Sequence, residues 1–330
     1  MWVRLDRPAV FQSVFAEDFH NYIAYKRAQG IKFEAGASAL TLFDRFLFES
    51  DVKEPILTKE IAESYTLLIP SEKITTQQTR LCCVRQLALY LQKIGKTTYM
   101  PSPQKYLVPN DFVPYIFTHR QMERLFCNAD IFPVCAYNPN KHIIVPVLLR
   151  MLYGCGLRIS EAMNLCVEDV DLENGVLRIL DAKFEKDRLV PVTPSQLEIY
   201  RNYYNQIHAN NNHKYFFPGC FKEKMDKQTF YWAFRELLGQ IGIKHMGKGR
   251  GPRVHDLRHT FAVHSLESLV QQGLDIYTTF PILATYLGHK NISATGKYLR
   301  LTTELFPQIT KAVENACNII FPEVLEDEAC

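Results

Sequence analysis

The chain has 330 residues, 47% of them hydrophobic and 22% charged, which is enough apolar material for a buried core and excludes wholesale disorder. Its formal net charge of +3 is too small to identify a polyanionic partner by itself. Nine cysteines occur without a CxxC pair, so zinc-finger spacing is missing and free thiols in a reducing compartment are expected.

No apolar run approaches the roughly 18 residues that a membrane helix needs. The opening MWVRLDRPAV has no signal-peptide core. The expectation is a cytoplasmic protein without a membrane partner.

The N-terminal part reads as helices. In FAEDFHNYIAYKRAQG, Phe15, Phe19, Tyr22 and Ile23 recur at helical spacing, and Gly30 can end the helix. ASALTLFDRFLFES predicts a second helix. TTQQTRLCCVRQLALYLQKIG predicts a third, from a Thr-rich cap to Gly95, with Leu81, Val84, Leu87, Ala88 and Leu91 on one face. In YMPSPQKYLVPNDFVPYIFT, Pro101, Pro103, Pro109 and Pro114 forbid a continuous helix and stiffen an extended connection. Two domains are therefore expected, over residues 1–106 and 107–330.

The second domain opens with the helical stretches THRQMERLFCNAD and HIIVPVLLRMLYGCGL. GVLRIL and RLVPVT are short β-rich runs joined by the polar DAKFEKD, as in a hairpin. SQLEIYRNYYNQIHANN, QTFYWAFRELLGQIGI and DLRHTFAVHSLESLVQQG return to helix, followed by PILATYLGHK and ISATGKYLRL. The fold class is mainly α with a small β-sheet.

Arg158 and Glu161 stand three apart at the start of an apolar-periodic helix, and alone they read as a surface ion pair. His255 and Arg258 show the same spacing in VHDLRHTF, which alone reads as a polar helix face. Neither HExxH nor a cysteine set supports zinc there. The order changes this reading: Arg158, a lysine in the hairpin, His255 with Arg258, Gly288–His289, and then Tyr298.

GLRISE, LDAKFEKDRLVPV, HDLRHTFA and LGHKNISATGKY, in that order, resemble the tyrosine recombinase (phage integrase) family over about residues 115–305. The N-terminal helices resemble the family's core-binding domain less specifically. The resemblance implies a two-domain DNA clamp, with a helical DNA-binding domain and a catalytic domain ending in an oligomerisation helix. It implies strand cleavage and rejoining through a covalent 3′-phosphotyrosyl intermediate, as in integration, excision or transposition of a mobile element.

Matched position by position, the resemblance makes Arg158 and Arg258 the phosphate-binding arginines, and His255 and His289 the two histidines. Tyr298 becomes the nucleophile and Lys183 the hairpin lysine, since KFEKDR lines up with the family's K-x-x-K-E-R from its first lysine. The hairpin is one residue longer than in close relatives, so Lys186 stays a rival. Glu161 supports the first arginine, and His259 neighbours the second. Lys244, Lys248, Arg250 and Arg253, in the basic run before His255, are expected to contact phosphates.

Two arginine forks suit a phosphate. The tyrosine phenol, with an ordinary pKa near 10, needs proton removal, for which His255 is the candidate base. A covalent link that conserves the broken bond calls for neither ATP nor metal, so no cofactor is expected. The expected partners are double-stranded DNA and further copies of the chain, a dimer on each site and a tetramer in synapsis. A Xer-type dimer resolvase and a type IB topoisomerase are alternatives of the same chemistry. A non-catalytic DNA-binding regulator is the alternative of another class.

Overall fold

The structure is a computed structural model. It describes residues 10–288 apart from 71, 104–112, 181–186, 222, 245 and 248–250, with the backbone alone at 276 and 277. The chain divides into two compact units, residues 1–112 and 113–330. The expected boundary at 106/107 lies outside the described residues.

The first unit holds α1 (Ala16–Ala28), α2 (Glu34–Glu49), α3 (Lys59–Thr66) and α4 (Ile74–Lys93). Phe15, Phe19, Tyr22, Leu40, Phe43, Leu47, Val84 and Leu87 form its core. The left-handed Gly30, φ 79°, follows α1, as expected of a glycine beyond a helix C-terminus. The Thr-rich start of α4 is not its cap: Lys73 holds that position without a side-chain hydrogen bond. Helix α3 was not anticipated from the sequence. It is short, buries only Ala62 and Tyr65, and is started by Thr58, whose hydroxyl accepts from Ile61 N at 3.3 Å.

The second unit contains α5 (His119–Asp130), α6 (Lys141–Gly154), α7 (Ile159–Asn164), the strands β1 (Val170–Asp171), β2 (Val176–Ile179) and β3 (Arg188–Pro191), then α8 (Pro194–Ile207), α9 (Lys227–Gln240), α10 (Val254–Gln271) and α11 (Ile276–Leu287). This is the mainly helical fold with a small sheet that the periodicities predict.

Helix α6 is apolar nearly all round and is accordingly central, with Ile144 to Leu149, Met151 and Leu152 buried among α5, α7, α8 and α10. Fully burying each such large side chain contributes about 1.5–3 kcal/mol. The strands form an antiparallel sheet in the order β1-β2-β3. Leu177 pairs with both Val170 and Val190, and Ile179 pairs with Arg188. Those pairings put Leu177, Ile179 and Val190 into the core and start β3 at Arg188.

Candidate active site

The site is built where the loop after α6, the start of α7, the start of β3, the first turns of α10 and the end of α11 meet. Gly156 takes the left-handed φ of 58°, turning the chain out of α6. Arg158 follows in extended conformation as the N-cap of α7. Glu161, in the first turn of α7, returns its carboxylate to that cap: Oε2 accepts from Arg158 N at 2.9 Å and Oε1 from Arg158 Nη1 at 2.6 Å.

This is not the surface pair that the spacing alone suggests, for the Glu161 side chain is only 4% exposed. A third party explains how its charge tolerates burial. Arg188, at the head of β3, donates from Nη2 to Glu161 Oε2 at 2.9 Å and from Nη1 to Oε1 at 3.2 Å. Arg258 Nη1 stands 3.9 Å from Oε2. Burial acts to raise the carboxyl pKa, but the hydrogen bonds and charge of Arg188, joined by Arg158, outweigh it and hold Glu161 down at about 2.

The stretch VHDLRHTF, opening α10, divides its side chains by depth. Asp256 is buried and caps the helix, its Oδ2 accepting from Arg253 N at 2.7 Å, while burial raises its pKa. Leu257 enters the core. Thr260 is buried, and its hydroxyl accepts from Phe117 N at 3.1 Å. Arg258 lies beneath the site with 2% of its side chain exposed. Its Nη1 donates to Gly156 O at 2.7 Å, and its Nη2 donates to Leu287 O. Arg158 is the more open of the two, at 18%.

His255 sits at the surface, its ring edge-on to His259 with centroids 4.7 Å apart. Partial desolvation by the protein beneath it, then the positive charges of Arg258, Arg158 and Arg253, lower its pKa from 6.5 to about 4, with Glu161 opposing. The imidazole is therefore neutral at neutral pH, the form that accepts a proton.

The C-terminus of α11 completes the cluster. The last carbonyls of a helix have no partners within it. Here Arg188 Nε donates to Tyr286 O at 2.9 Å, Arg258 to Leu287 O, and Arg158 Nη2 to Gly288 O at 3.4 Å. Three guanidiniums thus cover the negative end of the helix, where cations are favoured. Gly288 ends α11 in the left-handed conformation, φ 65°. His289 is the next residue in the chain.

Of the residues singled out from the sequence, Arg158, Glu161, His255, Arg258 and His259 belong to elements that meet here. Lys183, Lys186, His289 and Tyr298 lie outside the described residues, as do Lys248 and Arg250. Lys244 is exposed, and Arg253 is exposed at the N-cap of α10. His264 is buried and hydrogen-bonded through Nδ1 to the Tyr153 hydroxyl at 2.8 Å, away from the arginine cluster. Tyr286 stacks on Phe261 and donates to Pro191 O at 3.3 Å, in keeping with a packing role. Arg188 was not singled out from the sequence. Its signal was its place as the last residue of KFEKDR, a cation opening a strand whose neighbours alternate in burial.

Residues 116–304 match the phage integrase family. The protein y4rB of Sinorhizobium fredii, which carries an integrase/recombinase name, is 31% identical over 312 residues, covering 92% of this chain and 98% of its own. Tyrosine recombinase XerA of Pyrococcus furiosus is 33% identical over 181 residues, covering 54% and 56%. Among solved structures, the Tn1549 transposon integrase in complex with a circular intermediate DNA superposes with a TM-score of 0.60 at 18% identity, over 85% of this chain and 94% of that one. XerH bound to palindromic difH substrate gives 0.58 at 17%, over 86% and 78%. At such identities the structural likeness shows the fold.

Proposed function

Because the chain belongs to the phage integrase family of tyrosine recombinases, we propose that it cuts and rejoins DNA strands at specific sites through a 3′-phosphotyrosyl link at Tyr298. The observation that carries this reading is the pair Arg158 and Arg258 at the end of α11, with His255 one turn before Arg258 on α10. Helix α11 leads directly into His289 and, nine residues later, Tyr298.

Attack on a phosphodiester concentrates negative charge on the non-bridging oxygens. Arg158, with its guanidinium partly open, is suited to contact them. Arg258 contributes its charge from a buried floor, where water screens it least. Preorganised donors of this kind are worth roughly 10²–10³ in rate each. His255, neutral, takes the phenol proton of Tyr298, and His289 donates to a phosphate oxygen. The segment joining β2 to β3 contains Lys183 and Lys186, one of which protonates the leaving 5′ oxygen. Bond energy is kept in the phosphotyrosyl link until the new 5′ hydroxyl attacks. The first unit serves as a DNA-binding domain, with double-stranded DNA as the substrate and further copies of the chain as partners.

The span of the likenesses supports one role over another. The relation to an integrase/recombinase runs over nearly the whole of both chains, whereas that to XerA covers about half of each. We read the role as integration or excision of a mobile element, with resolution of chromosome or plasmid dimers as the alternative.

The test uses nicked, labelled duplexes drawn from the DNA flanking the chain's own coding sequence. The expected result is a covalent protein–DNA adduct that Tyr298→Phe abolishes while DNA binding survives. An adduct that persists in Tyr298→Phe overturns the nucleophile. Binding without any adduct favours a DNA-binding regulator.

A further inference from the structure

Arg188 has no role in the chemistry just described, yet it touches both the carboxylate that caps α7 and the end of α11. Its side chain is 9% exposed, and its guanidinium donates to both carboxylate oxygens of Glu161 and to Tyr286 O. It also lies flat against Gly288, where a Cβ would stand 3.1 Å from Nη1 and 3.3 Å from Cδ. One side chain at the head of β3 therefore links that strand to the capping carboxylate of α7 and to the end of α11.

The charge arrangement gives this geometry a consequence. Glu161 is shared by Arg158, Arg188 and Arg258. Both of its hydrogen bonds with Arg158 are made from the first turn of α7, so it fixes that arginine's direction. A carboxylate so close also competes with an incoming phosphate for the same guanidinium. Arg188 meets Glu161 with two N–H groups, the fork-to-carboxylate arrangement that makes charge-assisted hydrogen bonds strong.

We propose that Arg188 is a positioning residue that takes up the charge of Glu161, leaving Arg158 oriented by that carboxylate but available to the scissile phosphate. This rests on the strand-transfer reading above. Without Arg188, the whole carboxylate charge falls on Arg158 and Arg258, and the phosphate meets a weaker positive site. A residue that merely braced the fold would depend on its hydrogen bonds and not on the charge of Glu161.

The experiment measures single-turnover adduct formation on the nicked duplexes at saturating protein, with DNA affinity followed separately. Arg188→Met is expected to slow cleavage about 10²-fold, the size of losing one preorganised charge interaction, with affinity little changed. Adding Glu161→Gln removes the charge that Arg188 answered. The double variant is expected to recover about tenfold over Arg188→Met. Arg188→Lys keeps the charge and loses the fork, and is expected to stay within about tenfold of wild type.

A double variant no faster than Arg188→Met overturns the proposal. If Arg188→Met does not fold, Arg188→Lys decides: an approximately 10²-fold loss of cleavage with intact DNA binding overturns it. Wild-type protein that binds DNA but forms no adduct overturns the strand-transfer reading, and the proposal with it. A wild-type adduct matched in rate by Arg188→Met overturns the Arg188 assignment alone.

Discussion

His255 illustrates how a residue's neighbours choose its protonation state. An isolated histidine titrates close to the working pH. Here desolvation and three arginines push the pKa to about 4. The sign follows directly: a base is active when neutral, so activity is retained as pH falls until the pKa is approached. Adduct formation at subsaturating protein, which reports the free enzyme, should stay flat between about pH 7 and about pH 5.5. An acid limb centred on 6.5 would show that the arginines do not govern this imidazole. Glu161 is shifted for the opposite reason, since its charged form is the one its neighbours favour. Its contribution to stability is fully present above its unfolded pKa of 4.5, and is lost as pH falls through about 2.

At the scale of elements, the site depends on a close meeting of the loop after α6 with α10 and α11. Gly156 shows how close. A Cβ there would lie 2.4 Å from Phe261 Cδ1 and 2.9 Å from Leu287 Cδ2, on a backbone with positive φ. Its carbonyl is also the acceptor for Arg258 Nη1. Gly156→Ala combines left-handed strain, roughly 1–2 kcal/mol, with overpacking of about 1–3 kcal/mol. We expect a lowered urea midpoint with an unchanged slope, together with slowed cleavage because Arg258 is displaced. A wild-type midpoint would show that the junction is looser than its packing indicates. Helix α11 makes a related point about element boundaries. PILATYLGHK suggests a helix starting at Pro281, yet α11 begins five residues earlier, at Ile276. Asp275 supplies the reason, for its side chain accepts from Thr278 N at 3.2 Å and caps the earlier start.

Over the whole molecule, each unit has a hydrophobic core of its own, as two separately folded domains require. Residues 289–330 lie outside the described part, but Leu305, Ile309, Val313 and Ala316 recur there at helical spacing in the sequence. The oligomerisation role expected for this helix predicts that its removal separates two activities. Deleting residues 306–330 should leave part of the cleavage on a single nicked site while abolishing cooperative pairing of two sites. Gel-shift titration on one-site and two-site duplexes checks this, and normal pairing by the truncated chain would refute it.

The fold class, most helices, the strand pair and the order of the reactive residues were legible in the sequence. Periodicity reports which face is apolar, and that depends on residues only a few positions apart. Arg158, Glu161, His255 and Arg258 are picked out by the order of their motifs and the resemblance that order carries, since their three-residue spacing alone reads as a surface pair and a polar helix face. Depth was not legible. Only tertiary structure decided that Glu161 is buried among three guanidiniums, that Arg258 lies under the site while Arg158 stays more open, and that His255 is held neutral. Arg188 belongs with these, since it meets Glu161 and Tyr286 across 27 and 98 residues of chain. Charge burial and shared hydrogen bonds arise between elements distant in sequence, so no local pattern encodes them.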